Sequence, residues 1–207
     1  RDAARVAAQA QPHGLEYRAF ALDDPKATDN ALRDIAVVLN CAGPFARTAP
    51  PFVQACLRRH CHYLDITGEI EVFELAASLT KRAADAGVML MPGTGFDVVP
   101  SDCLAAHLKQ RLPDATELTL AFQAVGRPSR GTATTAVENI GRGGAIRRDG
   151  KITPVPAAWK TRAIDFGAGP TTAVTIPWGD VATAYHSTGI GNIEVYAALP
   201  PAMITQM

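Results

Sequence analysis

Two apolar periods alternate along the first 112 residues. Positions 1–11 carry alanine and valine at helical spacing, and Pro12, His13 and Gly14 stop the run. The segment LEYRAFAL (15–22) alternates apolar and polar residues as a strand does, and it ends on Asp23, Asp24 and Pro25. KATDNALRDI (26–35) predicts a short helix, and the β-branched run IAVVLN (35–40) predicts a strand. PFVQACLRRH (51–60) predicts an amphipathic helix starting just after Pro50 and Pro51, which suit a first turn. HYLDIT (62–67) reads as strand, and EIEVFELAASLTKRAADAG (69–87) as one long helix closed by Gly87. VMLMPG (88–93) is nearly continuous in apolar residues and predicts a strand buried on both faces. Ser101 and Asp102 are placed to cap a helix that Pro113 ends. Strands and helices thus alternate at the spacing of parallel crossover units, which predicts an open, doubly wound Rossmann-like sheet over residues 1–112.

After Pro113 the pattern changes. ATELTLAFQAVG (115–126), RAIDF (162–166), TTAVTIPW (171–178) and NIEVYAAL (192–199) read as strands. RRDGKITPV (147–155) carries the Asp149-Gly150 hairpin signal, and TATTAVENIG (132–141) reads as a helix. Residues 113–207 are expected to form an antiparallel α+β substrate or dimerisation domain. The chain starts at Arg1 in a helical stretch and stops at Met207 without a natural end, so both domains read as incomplete.

Composition narrows the partners. Twenty basic and twenty acidic residues cancel, so no global field favours nucleic acid or an anionic membrane. No apolar run has the length of a membrane span and no leader pattern opens the chain, which predicts a cytoplasmic protein. Cys41, Cys56, Cys61 and Cys103 lie in core-like segments without framework spacing and read as reduced thiols. Cys41 is expected to pack as a small hydrophobe rather than act as a nucleophile. Cys56, His60, Cys61 and His62 invite a zinc reading, but helix and strand would turn their side chains apart, and no metal is expected.

In open α/β sheets ligands bind beyond the carboxyl ends of the strands. Those ends carry Asp23-Asp24; Asn40, Cys41, Ala42, Gly43, Pro44 and Phe45; Asp65, Thr67, Gly68 and Glu69; and Gly93, Gly95, Phe96 and Asp97. Three of the four mix small residues with polar groups, leaving main chain bare for a planar ligand; turn chemistry alone favours the same residue types. A GxGxxG phosphate loop joining a first strand to a first helix is not found: Gly93-Gly95, Gly141-Gly144 and Gly189-Gly191 all have the wrong context.

The segments VVLNCAGPFARTAPPFVQACL, HYLDITGE, PGTGFDVVPSDCLAAHLKQRLP and TAVTIPWGDVATAYHSTGIGNIEVY resemble the saccharopine dehydrogenase-like reductases, in particular the bacterial trans-acting enoyl reductases. The resemblance implies an NADP-binding Rossmann fold, a second α+β domain, and a first strand with its glycine loop upstream of Arg1. It puts Arg1 where the adenosine 2′-phosphate is met, with bidentate charge-assisted bonds. It makes 40–45 the loop that runs past ribose and nicotinamide: Gly43 permits close approach, Pro44 fixes the exit and Phe45 shields the ring. Asp23 would lie near the adenine edge, and Thr67, Gly68, Glu69, Gly95 and Phe96 would complete the crevice. Asp97 faces the same crevice as a catalytic candidate, and Tyr185 and His186 are candidate proton donors from the second domain, where Trp178 and Asp180 belong to the same segment. Arg127, Arg130, Arg142, Arg147 and Arg148 make that domain locally basic and read mainly as solvated surface. The implied activity is reduction of a C=C, C=N or C=O bond of a metabolite or lipid-like precursor, in a possible homodimer. The competing expectation is a binding or scaffold protein that keeps the crevice without turnover.

Overall fold

A computed structural model describes residues 2–123, 141 and 143–199. The first part opens with α1 (Ala3–Ala10), whose first turn Asp2 caps by accepting from the Arg5 N–H at 3.0 Å. Then come α2 (Pro25–Ala31), β1 (Val37–Asn40), α3 (Phe45–Arg59), β2 (His62–Asp65), α4 (Ile70–Ser78), α5 (Thr80–Ala86), β3 (Leu90–Met91) and α6 (Val99–Arg111). The three strands pair in parallel in the order β1-β2-β3, with Val38 beside Tyr63 and Tyr63 beside Leu90. Helices α3, α4 and α5 lie on the face that carries those residues, and Val53, Cys56, Val72, Leu79 and Ala83 close a core around buried Tyr63.

The second part holds β4 (Glu117–Gln123), β5 (Gly144–Arg148), β6 (Lys151–Val155), β7 (Thr161–Asp165), β8 (Pro170–Thr175), α7 (Asp180–Thr188) and β9 (Asn192–Ala198). Strand β9 is central: β5 and β8 pair with it antiparallel, β4 parallel along its whole length. Leu118, Leu120, Ile193 and Val195 alternate inward, as half-buried strands require, and meet Val181 and Ala184 of α7 and Ala105 of α6. Helix α7 also packs on α4, so the two parts share a junction.

Several expectations change. Residues 15–22 form no strand: the alternation is present, but no neighbouring strand takes up their backbone groups, and Phe20 packs instead on Phe52. Helix α3 starts at Phe45 and runs through Pro50 and Pro51 rather than after them. The long helix breaks at Leu79 (φ −98°, ψ 5°) into α4 and α5, and Gly87 closes it in the left-handed region as expected (φ 65°). Helix α6 begins at Val99; Ser101 and Asp102 sit inside its first turn and do not cap it. Among the described residues helices cover only one face of the parallel sheet, and Leu39, Met89 and Met91 stand exposed on the other, at 57%, 40% and 44%. The strand expected to be buried on both faces is therefore buried on one. The hairpin at Asp149-Gly150 forms with both residues at positive φ (49° and 77°). The helix expected at 132–141 falls almost wholly outside the described residues; α7 had not been expected.

Candidate functional site

Parallel strands deliver their carboxyl ends to one rim, so the turns 41–44, 66–69 and 92–98 emerge together. Asp23 and Asp24 follow no strand; Asp23 is exposed, and Asp24 caps α2 by accepting from the N–H groups of Lys26 (2.9 Å) and Ala27 (3.0 Å). Three turns, not four, make the rim.

A hydrogen-bonded line, buried from Asn40 to Asp65, runs beneath it. The Thr48 hydroxyl donates to the Ala42 carbonyl (2.6 Å), and Asn40 Nδ2 donates to Thr48 Oγ1 (3.0 Å) and to the Tyr63 hydroxyl oxygen (3.2 Å). Tyr63 in turn donates to Asp65 Oδ2 (2.7 Å). Asp65 Oδ1 accepts from the N–H groups of Thr67 (3.0 Å) and Gly93 (2.8 Å), while its carbonyl accepts from the Thr94 N–H and hydroxyl, both 2.7 Å. One carboxylate thus ties the β2 turn to the β3 turn. Burial raises the Asp65 pKa, partly offset by those two N–H groups and the tyrosine; burial also raises that of Tyr63.

Glu69 reaches back across the rim. Its two oxygens accept from the N–H groups of Phe45 (2.8 Å) and Ala46 (2.7 Å), so it caps α3 from another loop. Thr67 is buried and its hydroxyl accepts from the Glu69 N–H at 3.0 Å. Asn40, Thr67 and Glu69 therefore spend their side chains holding the rim. What the rim presents outward is the exposed main chain of Cys41, Ala42 and Gly43, with Ile66 and Phe96 at 44% and 76% exposure. The Phe45 ring lies against Gly43, within 3.5 Å of where a Cβ would stand. Cys41 and Cys103 are exposed, so neither packs in a core; only Cys56 and Cys61 do, with sulfurs 3.3 Å apart. His60 and His62 turn to different partners, the Ala86 carbonyl and the Met89 N–H.

Asp97 lies half-buried against Gly68, its Oδ2 3.1 Å from where a Gly68 Cβ would stand, and burial pushes its pKa up to about 6. Tyr185 and His186 are elsewhere. Tyr185 lies under the Arg147 guanidinium (4.4 Å to the ring centroid) and beside Gly150; His186 is exposed. On α7, Tyr185 sits about 140° around the axis from Asp180, whose preceding residue Gly179 packs on Gly68. Arg147 is itself a correction: its side chain is 4% exposed and donates to the carbonyls of Val181 (2.8 Å) and Gly150 (2.7 Å) and to Glu74 (2.9 Å). Arg1, Arg127, Arg130 and Arg142 lie outside the described residues.

The small exposed residues at 41–43 leave room for a flat group such as the nicotinamide of the dinucleotide. The pyrophosphate does not fit the start of α3, because Glu69 already occupies the first amides with negative charge.

The model of the saccharopine dehydrogenase NADP binding domain matches residues 1–91. Over those residues the chain is similar to that domain. The saccharopine dehydrogenase-like oxidoreductase of Mus musculus is 26% identical over 145 residues, covering 65% of this chain and 34% of that protein. The trans-acting enoyl reductase of Mycobacterium ulcerans (strain Agy99) is 38% identical over 76 residues, covering 36% of this chain and 18% of that one. Apo saccharopine dehydrogenase (L-Glu forming) of Saccharomyces cerevisiae superposes with a TM-score of 0.65 at 15% identity, over 95% of this chain and 47% of that one, and shows the shared fold. This chain thus spans about a third of the mouse relative's length. The rim is the C-terminal edge of the parallel sheet, the edge where such sheets take ligands.

Sequence reasoning quoted Asp65 but gave it no role, although an acid ending an apolar strand two residues after Tyr63 was the available signal. Capping of α3 by Glu69 spans 24 residues and leaves no local pattern. Asp180, noted only as part of the segment that carries Tyr185 and His186, is completely buried.

Proposed function

We propose that this chain serves an NADP(H)-dependent oxidoreductase of saccharopine dehydrogenase-like type, reducing a C=C, C=N or C=O bond of a metabolite or lipid precursor. The observation that carries the reading is the rim: three turns at one sheet edge, with small exposed residues outward and their polar side chains turned inward. When bound, the dinucleotide supplies the hydride. The chain's own part is to position and to protonate. The main chain of Cys41, Ala42 and Gly43 supports the nicotinamide and ribose, with Phe45 behind Gly43 and Gly95 and Phe96 bounding the far side. Arg1 meets the adenosine 2′-phosphate. Asp97, half-buried between rim and second domain, is the proton donor; the placement of Tyr185 and His186 supports neither in that role. The lipid-precursor reading leans on the enoyl reductase relative, and a homodimer would bury the apolar sheet face at Leu39, Met89 and Met91.

Glu69 at the start of α3 and the lack of a glycine-rich phosphate loop favour weak NADPH binding by residues 1–207 alone. Saturation-transfer NMR with NADPH tests the reading. The nicotinamide and its ribose protons are expected to receive saturation, and Gly43→Val to abolish it. A Cβ at Gly43 meets only the Phe45 ring, at 3.5 and 3.7 Å, so the variant keeps the fold. Unchanged transfer in Gly43→Val, or transfer to the adenine alone, overturns the placement.

A further inference from the structure

Two thiols that the rim does not use meet at the far end of α3. Cys56 and Cys61 have no exposed surface, and their sulfurs stand 3.3 Å apart, with the Cys61 thiol donating to Cys56. The helix end dictates the meeting. His60 stops α3 in the left-handed region (φ 55°), and the Cys56 carbonyl accepts from the His60 N–H and, at 3.0 Å, from the Cys61 N–H. At a helix end closed in this way the residue after the left-handed position folds back on the last turn, and the two side chains touch. His60 is held there by its ring, whose Nδ1 lies 2.9 Å from the Ala86 carbonyl of α5. Any two small apolar side chains would fill that contact; two thiols in it add chemistry that packing alone does not call for.

A disulfide needs the sulfurs to close from 3.3 Å to about 2.05 Å. The bond would join the last turn of α3 to the residue before β2, closing a loop of six residues from Cys56 to Cys61.

We propose that Cys56 and Cys61 form a thiol–disulfide latch, oxidised by a low-molecular-weight disulfide and kept in either state by the fold around it. One protein thiolate attacks a sulfur of the reagent disulfide; that S–S bond breaks, a mixed disulfide forms, and one reagent thiolate leaves. The second protein thiolate attacks the protein sulfur of the mixed disulfide and expels the other reagent thiolate. Two electrons pass from the cysteine pair to the reagent, and the two cysteine protons end on its two thiols. Burial, and after it the contact with Cys61, raises the Cys56 pKa. Few thiolates therefore form in the closed fold, and the exchange runs while the last turn of α3 is open or before it has formed. Helix α3 begins at the rim with Phe45 and ends at Arg59, about 22 Å along its axis, so the latch acts on stability and leaves the 41–44 turn alone.

Linkage gives the magnitude. Closing a six-residue loop of the unfolded chain without strain raises the folding constant about fortyfold, and folding must favour oxidation by the same factor. The test uses the full chain carrying Cys41→Ser and Cys103→Ser, equilibrated with reduced and oxidised glutathione at graded ratios, in urea and after dilution from urea into buffer. Acid quenching, alkylation and mass spectrometry read the oxidised fraction. Trypsin cuts at Arg58 and Arg59, between the two cysteines, so the bond shows as a pair of joined peptides. Oxidation is expected to be about fortyfold more favourable in buffer than in urea. Oxidation in buffer that is equal to that in urea, or weaker, overturns the latch, because the fold would then hold the sulfurs where bonding gains nothing. Should the doubly substituted chain not fold, the same joined peptides counted in the unsubstituted chain decide.

Discussion

Removing the Glu69 carboxylate should uncap α3 and loosen the rim together. In the structure its oxygens take the Phe45 and Ala46 N–H groups at 2.8 and 2.7 Å, both short enough for charge-assisted bonds. A capping side chain replaced by alanine costs about 1 kcal/mol, and a carboxylate at a helix N-terminus adds about 0.5–1 kcal/mol against the macrodipole. The two amides are only partly buried, so water can replace some of what is lost, and the full penalty of two orphaned buried donors does not apply. The sum is about 2 kcal/mol for Glu69→Ala, about thirtyfold in the folding constant. Glu69→Gln keeps one acceptor oxygen without the charge and should cost about half as much. Urea unfolding followed by far-ultraviolet circular dichroism reads both variants, with the slope expected unchanged and the midpoint lowered. A loss under about 0.5 kcal/mol for Glu69→Ala would refute the reasoning, because the bond pattern would then carry no energy.

Gly93→Ala should cost about 3 kcal/mol, since its φ is 72° and the new Cβ would stand 2.5 Å from Phe73 Cζ; Gly14→Ala, at φ 64° with open space, should cost only about 1 kcal/mol, and thermal melts compare them. Arg147→Met strips three hydrogen bonds from a buried guanidinium and should cost about 2–3 kcal/mol, with half-exposed Glu74 left to water, measured by denaturant midpoint. Asp97 and Asp180 each rise from 3.8 to about 6 on folding, so the stability they contribute is complete below pH 4 and is lost as pH climbs through 6; the unfolding midpoint should fall over that window, and less steeply in Asp180→Asn. An aromatic disulfide reagent should titrate Cys41 and Cys103 in the native protein and reach Cys56 and Cys61 only after unfolding; a native reaction with all four thiols would contradict the packing of the α3 core.

The rim was legible because its cause is local. Small residues after an apolar run, as in Asn40–Gly43 and Gly93–Gly95, report a strand end whichever tertiary partner follows. Hairpin β5–β6 was legible for the same reason, through Asp149-Gly150. Where the cause is remote, the pattern misled. The alternation at 15–22 has a strand's period but needs a neighbour to become one. Pro50 and Pro51 mark a helix start in isolation, yet α3 begins five residues earlier because Glu69, far along the chain, satisfies its first amides. Arg147 read as solvated surface, since nothing in its own strand shows that Val181, Gly150 and Glu74 converge on it. Helix α7 did leave signals, Asp180 in its first turn and Gly189 in the left-handed cap at φ 69°, but Thr and Tyr between them hid the helical period.

The contacts at the junction explain why site and stability are hard to separate in this protein. The Phe73 ring stands between two glycines, 2.5 Å from the Cβ position of Gly93 and 2.7 Å from that of Gly179. Gly93 belongs to the β3 turn and gives its N–H to Asp65; Gly179 precedes Asp180. Any side chain at either glycine would push the ring toward the other, and so move a rim turn and the first turn of α7 together. The second domain therefore bears directly on the rim. By pressing Gly179 onto Gly68 and Val98, it fixes the backbone from which Asp97 projects, and the placement of that carboxyl depends on the packing between α4, α6 and α7.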